Sequence, residues 1–168
     1  PPCAPCASIP SRYSTPSDIR MIKHLPLLAI ALGGPLTASA QERKDVPLPA
    51  AQGVFANISG AVWVGNTLYV SGWLDPDIDA HPDSKSQTLA LYTSLQTFLE
   101  SQKVSLGDVV FVRAYIGTEA SHAGYSAAYN QVFSAYPHKP AHTLLEVVLP
   151  AAKRGALIEV DVIVARPT

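Results

Sequence analysis

The hydrophobic positions in the first half of the chain fall into short runs separated by turn residues. Apolar and β-branched residues are grouped at 54–58, 61–64 and 67–72. Gly65 and Asn66 separate the last two runs, and a Gly-Asn pair between two β-prone segments is typical of a hairpin. The pattern therefore predicts three strands, preceded by a loose lead-in at residues 41–53.

The second half of the chain alternates between helical and strand periods. Apolar residues recur at helical spacing over 85–102 and over 121–136, where three tyrosines are expected in the core: Tyr125, Tyr129 and Tyr136. Strands are predicted at 109–116, 141–148 and 157–165 from their β-branched content. The resulting order, β-β-β-α-β-α-β-β, predicts an α+β domain at residues 54–168, with two helices on one face of the sheet.

The strand at 109–116 is apolar on both faces. Strict alternation places Val109, Phe111, Arg113 and Tyr115 on one face and the intervening residues on the other. A strand that is apolar on both faces is buried on both sides, but two helices cover only one face of the sheet. We therefore expect another copy of the chain to cover the second face.

The N-terminus has the features of an export signal. Met21 is followed by Lys23, an apolar run at 25–36 and the small-residue triplet 38–40, so the order predicts a signal peptide at 21–40 that is cleaved after Ala40. A retained membrane anchor is the alternative, which the prolines and glycines of the run disfavour. Residues 1–20 are rich in proline, and we expect a disordered leader or one that precedes the true start codon. The mature chain would be periplasmic or secreted.

The composition of residues 41–168 excludes several classes of function. Both cysteines lie before residue 41, so the mature chain would have no disulfide and no thiolate site. It has nine Lys and Arg and twelve Asp and Glu, a formal net charge of −3 without a basic stripe, so we expect no nucleic-acid partner. The histidines do not have the spacing of metal ligands, so we expect no metal site. After signal cleavage we also expect no membrane association.

Four segments, in order, resemble motifs of the reactive-intermediate deaminase family, also called Rid or YjgF-like. Residues 64–72 are similar to its "VGNxxYxSG" hairpin, and residues 106–110 to the start of its middle strand. Residues 140–143 stand in the place of its "PAR[ST]" motif, and residues 158–161 resemble its closing strand. The resemblance covers about residues 54–165. It implies a chorismate-mutase-like fold, a homotrimer with ligand clefts between subunits, and hydrolysis of small imines and enamines without a cofactor.

The resemblance also implies roles for individual residues. Glu159 occupies the position of the glutamate that positions water, and His142 the position of the arginine that binds the substrate carboxylate. A histidine lacks the guanidinium fork and is mostly neutral at pH 7. The other implied pocket positions are Gly72, the carbonyl of Leu144, Ser71 of the hairpin motif, Ser126 in place of an asparagine, and Ile58 in place of an aromatic residue.

Alternation along the last two strands suggests where the polar residues point. His142 and Glu146 share one face, and Glu159 and Asp161 share a face opposite apolar neighbours. We expect His142 and Glu159 to point together into the uncovered face, where a carboxylate could orient the imidazole or a water. The alternative is that they only form hydrogen bonds in an interface. Arg113 is a candidate replacement for the missing anion anchor, or else a structural partner of Glu146 or Asp161.

These observations lead to two hypotheses of different classes. The first is an exported deaminase that hydrolyses a small imine, enamine or related reactive metabolite in an intersubunit cleft, with Glu159 and His142 as catalytic residues. Its substrate would differ from that of other members because the arginine is replaced. The second is a non-catalytic trimer that binds a small ligand in the same cleft.

Overall fold

The computed structural model describes residues 41–47, 58–148 and 155–167. Six strands and two helices follow one another in the predicted order. The strands are β1 (Arg43–Val46), β2 (Ala61–Val64), β3 (Thr67–Trp73), β4 (Val109–Ile116), β5 (Ala141–Glu146) and β6 (Ile158–Ala165). The helices are α1 (Ser84–Ser101) and α2 (Ala120–Phe133), and short 3-10 turns lie at Ile78–Ala80 and Leu106–Asp108. The predicted leader and signal peptide lie outside the described residues.

The first strand is not where the sequence pattern placed it. Residues 54–57 lie outside the described residues, and Ile58 is not in a strand. The first strand is instead β1, in the segment predicted as a loose lead-in, where it pairs antiparallel with β2. Only Val46 of β1 is buried, so the segment has too little apolar pattern to reveal a strand. β1 forms a strand because it pairs with β2, and not because its own residues favour one.

The sheet is mixed, with the strand order β1-β2-β3-β6-β4-β5. Every pair is antiparallel except β4 and β5, which α2 connects as a crossover. The β2–β3 hairpin was predicted correctly, and Gly65 at its turn has a φ of 57°, a conformation that favours glycine. Because β6 lies between β3 and β4, residues from distant parts of the chain become neighbours in the centre of the sheet.

Both helices pack on the same face of the sheet, which confirms the predicted two-layer arrangement. The core between the layers contains aliphatic residues of α1, aromatic residues of α2 and alternate residues of the central strands. Leu91, Leu95, Val112, Val160 and Val164 are all fully buried there. Among the described residues, no helix is long and apolar enough to cross a membrane.

A β-bulge changes the predicted alternation at the start of β4. The pairing of β4 with β6 shifts register between Val109 and Phe111. Val109 is therefore 4% exposed and belongs to the helix-covered core, whereas Val110 is 48% exposed. The prediction that Val109 shares a face with Phe111, and Val110 with Val112, is wrong for this reason. Beyond the bulge, Phe111, Arg113 and Tyr115 share one face as predicted, and it is the uncovered one.

Local interactions fix the ends of the helices. Asp83 caps α1 by accepting hydrogen bonds from the backbone N–H groups of Lys85 and Ser86. Helix α2 ends at Phe133, three residues before the predicted end, and the ammonium of Lys139 donates to carbonyls at that end, including those of Phe133 and Tyr136. A cation at a helix C-terminus is favoured because it satisfies the last carbonyls.

Candidate functional site

Asp161, on the uncovered face of β6, accepts hydrogen bonds from three groups. The hydroxyl of Ser71 lies 3.0 Å from it, the backbone N–H of Gly72 2.9 Å and the hydroxyl of Tyr115 2.8 Å. The guanidinium of Arg113 is 3.9 Å away. Donors from β3 and β4 therefore converge on one carboxylate of the strand between them.

An irregularity in β3 makes this arrangement possible. The pairing of β3 with β6 shifts register between Val70 and Trp73, and Gly72 has a φ of 67°. In this left-handed conformation its N–H points to the Asp161 side chain instead of joining the strand ladder. Ser71 and Gly72 were both predicted pocket positions, and their hydrogen bonds to Asp161 show what they do in the fold.

Glu159 lies on the same face, two residues before Asp161 and directly opposite Tyr115 of β4. One of its carboxylate oxygens is 3.6 Å from the position that a Cβ on Gly72 would take. Among the described residues, Glu159 accepts no hydrogen bond. Burial, and next the negative charge of Asp161, raise the pKa of Glu159 above its ordinary value of 4.5. A carboxylate of raised pKa is a stronger base than an ordinary exposed one.

A second group of predicted residues lines a cleft of about 430 Å³ between α2 and the edge strand β5. His142 and Leu144 contribute from β5, and Ser126 from α2. The cleft is also lined by His122, Tyr125, Tyr129, Asn130, Lys139 and Pro140. Three of the predicted pocket positions are therefore brought together here.

His142 is held against two tyrosines of α2. Its Nε2 lies 2.7 Å from the hydroxyl of Tyr125, and its ring centroid is 5.7 Å from that of Tyr125 and 4.7 Å from that of Tyr129. Burial lowers the pKa of His142 below its ordinary value, because the charged imidazolium is less well solvated there. The lowered pKa favours the neutral imidazole at pH 7.

The prediction that His142 and Glu159 point together into the uncovered face is wrong. His142 pairs with Val112, which is buried beneath the helices, whereas Glu159 pairs with Tyr115 on the uncovered face. The same register places Glu146, opposite Ile116, on the helix side. Within one chain the two predicted catalytic residues therefore lie on opposite sides of the sheet.

A larger cavity, of about 690 Å³, lies elsewhere, where β1 and β2 approach the end of α1. Its lining includes Glu42, Lys44, Gln102 and Arg166, and the guanidinium of Arg166 stacks on Trp63 at 4.2 Å. None of the predicted site residues lines it. In the described part of the chain, no three His, Cys, Asp or Glu residues are grouped so that they could hold a metal ion.

The chain is similar to known proteins of one family. Residues 49–166 match the family described as Endoribonuclease L-PSP. The chain belongs to this family, the Rid/YjgF family. It is 33% identical over 110 residues to a RutC family protein of Pyrococcus abyssi, an alignment that covers 62% of this chain and 83% of that protein. The resemblance in the sequence motifs is thereby confirmed.

Solved structures of Rid/YjgF proteins show the same fold. Yeast Mmf1 is 21% identical, with a TM-score of 0.64 over 75% of this chain and all of that one. The Escherichia coli YjgF gene product is 20% identical, with a TM-score of 0.63 over 74% of this chain and 99% of that one. A Mycobacterium tuberculosis member of the YjgF/YER057c/UK114 family has 22% identity and a TM-score of 0.63 over 74% and 99%. The α+β, chorismate-mutase-like architecture is thus confirmed.

Sequence reasoning missed the residues that define the surroundings of this Rid/YjgF site. Tyr125 was expected only in the core, yet its hydroxyl binds His142. Tyr115 was not singled out for a role, yet it donates to Asp161. The helical spacing that predicted core packing for Tyr125 is correct, since it is 1% exposed. A buried phenol needs a hydrogen-bond partner for its hydroxyl. A tyrosine on an apolar stripe therefore indicates that a polar residue lies nearby.

Proposed function

We propose that this protein is a hydrolytic deaminase of a small imine, enamine or related reactive metabolite, and that Glu159 activates the attacking water. The observation that carries the proposal is the contrast between two acids on one strand. Asp161 accepts three hydrogen bonds, whereas Glu159 accepts none among the described residues and has a raised pKa. A half-buried carboxylate without a structural partner is suited to act as a general base.

The proposed reaction requires only water and a proton carrier. Water adds to the carbon of the C=N bond while the carboxylate of Glu159 takes its proton. The proton then passes to the nitrogen and gives a neutral carbinolamine. A second transfer through the same carboxylate moves the hydroxyl proton of the carbinolamine to the nitrogen, the C–N bond breaks, and ammonia and a carbonyl compound are released. An enamine would first take up a proton at carbon and lose one from nitrogen to become the imine.

We further propose that the active unit is a homotrimer whose clefts lie between copies. Because His142 and Glu159 lie on opposite sides of one sheet, they can line the same cleft only if they come from different copies. The uncovered face is suited to such contact, since Tyr69, Ile163 and Phe111 form a continuous row across β3, β6 and β4. Tyr69 is 47% exposed in a single chain.

The activity is tested by ammonia release from enzymatically generated 2-iminopropanoate. The wild-type protein should be slow, since loss of the charged guanidinium pair costs carboxylate binding about 2–3 kcal/mol. His142→Arg should raise the rate, and Glu159→Gln in that background should lower it about 10²–10⁴-fold, because an amide cannot accept the proton. Glu100→Gln, which changes an exposed acid on α1, is the matched control and should have no effect.

Replacement of the arginine favours one other function, binding without turnover. His142 offers no bidentate guanidinium, and its Nε2 is already engaged by Tyr125. If the trimer is intact and neither the wild type nor the His142→Arg variant releases ammonia, the deaminase proposal fails and a small-ligand-binding trimer replaces it.

We also propose that the mature protein is exported to the periplasm or beyond. The support is the sequence alone, through the basic start, the apolar run and the small-residue triplet that ends at Ala40. Expression from Met21 should give a product whose N-terminus lies near Gln41. Intact mass of the periplasmic fraction measures this, and a cytoplasmic product that retains Met21 would refute it.

A further inference from the structure

A buried chain of hydroxyl groups ends at His142. The hydroxyl of Tyr92 lies 3.4 Å from that of Tyr125, and the hydroxyl of Tyr125 lies 2.7 Å from Nε2 of His142. Tyr92 and Tyr125 are each 1% exposed. Among the described residues neither phenol has another hydrogen-bond partner, so two bonds must satisfy both phenolic hydrogens.

Counting hydrogens leaves one arrangement in which every donor has an acceptor. If Tyr92 donates to Tyr125, and Tyr125 donates to Nε2 of His142, both phenolic hydrogens are used. If His142 instead donates from Nε2, the hydrogen of either Tyr125 or Tyr92 is buried without an acceptor. Burying an unpaired donor is costly, so the first direction is favoured.

The direction of the chain determines what His142 offers to a ligand. Nε2 must be the unprotonated nitrogen, so the proton of the neutral imidazole is on Nδ1. Nδ1 has no partner among the described residues, and His142 lines the cleft. Protonation of the ring would reverse the chain and leave a phenolic hydrogen unpaired, which opposes the charged form in the same direction as burial.

The remaining polar groups of the cleft, which include Ser126, Asn130 and the ammonium of Lys139, do not replace a bidentate guanidinium. The ammonium of Lys139 donates to carbonyls at the end of α2. The other titratable groups that face the cleft from α2 are Tyr125, Tyr129 and His122. A carboxylate placed at the position of His142 would meet one neutral N–H donor from that ring in place of a bidentate guanidinium, while the hydrogens of Lys139 are directed at carbonyls at the end of α2.

We infer that Tyr125 and Tyr92 act as positioning residues that fix His142 as a neutral Nδ1–H donor, so that the cleft selects ligands with an uncharged carbonyl where an arginine would bind a carboxylate. The inference rests on the proposed function, because it names the substrate class for that cleft. It assigns to two core tyrosines a role in specificity as well as packing.

The first test is the tautomer of His142 in the intact mature protein, measured by long-range ¹H–¹⁵N NMR and assigned by its loss in His142→Gln. At pH 7.5 the wild type should show Nδ1 protonated and Nε2 unprotonated. The Tyr92→Phe/Tyr125→Phe variant keeps both rings and removes both hydroxyls, so His142 should become a mixture of tautomers with a higher pKa. Tyr129→Phe removes a neighbouring hydroxyl that is not part of this series of hydrogen bonds, so the tautomer of His142 should stay unchanged. A wild-type Nε2–H tautomer would overturn the inference.

The second test compares binding of 2-oxopropanamide and 2-oxopropanoate, which differ in charge but little in size, by NMR titration. The wild type should prefer the amide, and His142→Arg should shift the preference towards the carboxylate by at least about tenfold, as expected for a gained charged hydrogen bond. Equal or stronger binding of the carboxylate by the wild type would overturn the selectivity. If no variant binds either probe but the tautomer is as expected, the selectivity and the proposed cleft fail together while the positioning of His142 stands.

Discussion

Glu159 and Asp161 are acids two residues apart on the same face of β6, but the fold treats them differently. Asp161 is surrounded by donors from β3 and β4, whereas Glu159 is half-buried without one. Because the folded-state pKa of Glu159 lies above that of the unfolded chain, protonated Glu159 favours folding below about pH 4.5. This contribution is lost as the pH rises through the folded-state pKa, which is the same interval in which the proposed base would become active.

These surroundings predict opposite effects for two amide substitutions. Glu159→Gln should raise the melting temperature at pH 7, because it removes a carboxylate that is ionised at a desolvation cost, while it lowers turnover about 10²–10⁴-fold. Asp161→Asn should lower stability by about 1–3 kcal/mol, since an amide cannot accept from all three donors. It should also shift the acid limb of the activity profile to lower pH, because the negative charge beside Glu159 is gone. Thermal denaturation and pH–rate profiles measure both, and an unshifted acid limb in Asp161→Asn would contradict the assignment of Glu159 as the base.

The sequence predicts local motifs correctly. It does not predict which face of the sheet a side chain occupies when that face depends on strand pairing. Alternation correctly grouped Glu159 with Asp161, opposite an apolar series. It could not decide the face of His142, because β5 is an edge strand with exposed residues on both sides and offers no apolar side as a reference. Only the pairing of His142 with the buried Val112 settles the question.

At the level of elements, the contact between the two helices depends on Gly124. A Cβ on Gly124 would lie 2.1 Å from the hydroxyl oxygen of Ser84 and 2.9 Å from the backbone nitrogen of Lys85. Both are closer than a real Cβ approaches, and the backbone nitrogen cannot rotate away. Glycine thus lets the start of α1 approach α2, next to the residues that line the cleft.

This contact predicts that Gly124→Ala is destabilising, although alanine is the better helix former by about 1 kcal/mol. Overpacking should cost about 1–3 kcal/mol and displace Tyr125, so the free energy of unfolding should fall despite the gain in propensity. Ala123→Gly, at an exposed position in the same helix, is the matched control and should cost about 0.5–1 kcal/mol through propensity alone. Urea denaturation compares the two, and a Gly124→Ala protein more stable than wild type would refute the close contact.

The order of elements was predictable because each long element has its own hydrophobic period, and the hairpin was predictable from its turn. The bulge in β4 and the strand β1 were not predictable. A bulge inserts one residue and so inverts the faces on one side of it, as at Val109 and Val110, and no composition signal marks it. β1 was missed because its single buried residue, Val46, gives no alternation to detect.

At the scale of the whole molecule, the uncovered face of the sheet is the surface through which we propose that copies of the chain meet. Ile163 lies at its centre, between Tyr69 of β3 and Phe111 of β4, and all three are at least partly exposed in a single chain. Val109, by contrast, is buried in the core of the single chain. Substitutions at Ile163 and Val109 therefore distinguish loss of an interface from loss of the fold.

We expect the mature chain to be a trimer at micromolar concentration, and Ile163→Glu to give folded monomers. A charge at Ile163 stays solvated in one chain but would be buried and unpaired in an interface, at a cost of several kcal/mol. Val109→Glu should instead unfold the protein, because the same charge enters the monomer core, while Thr93→Glu, on the exposed side of α1, should change neither property. Light scattering gives the mass and circular dichroism the folded state. A wild-type monomer, or an Ile163→Glu trimer, would mean that this face is not the interface, and His142 and Glu159 would then have no route into a common cleft.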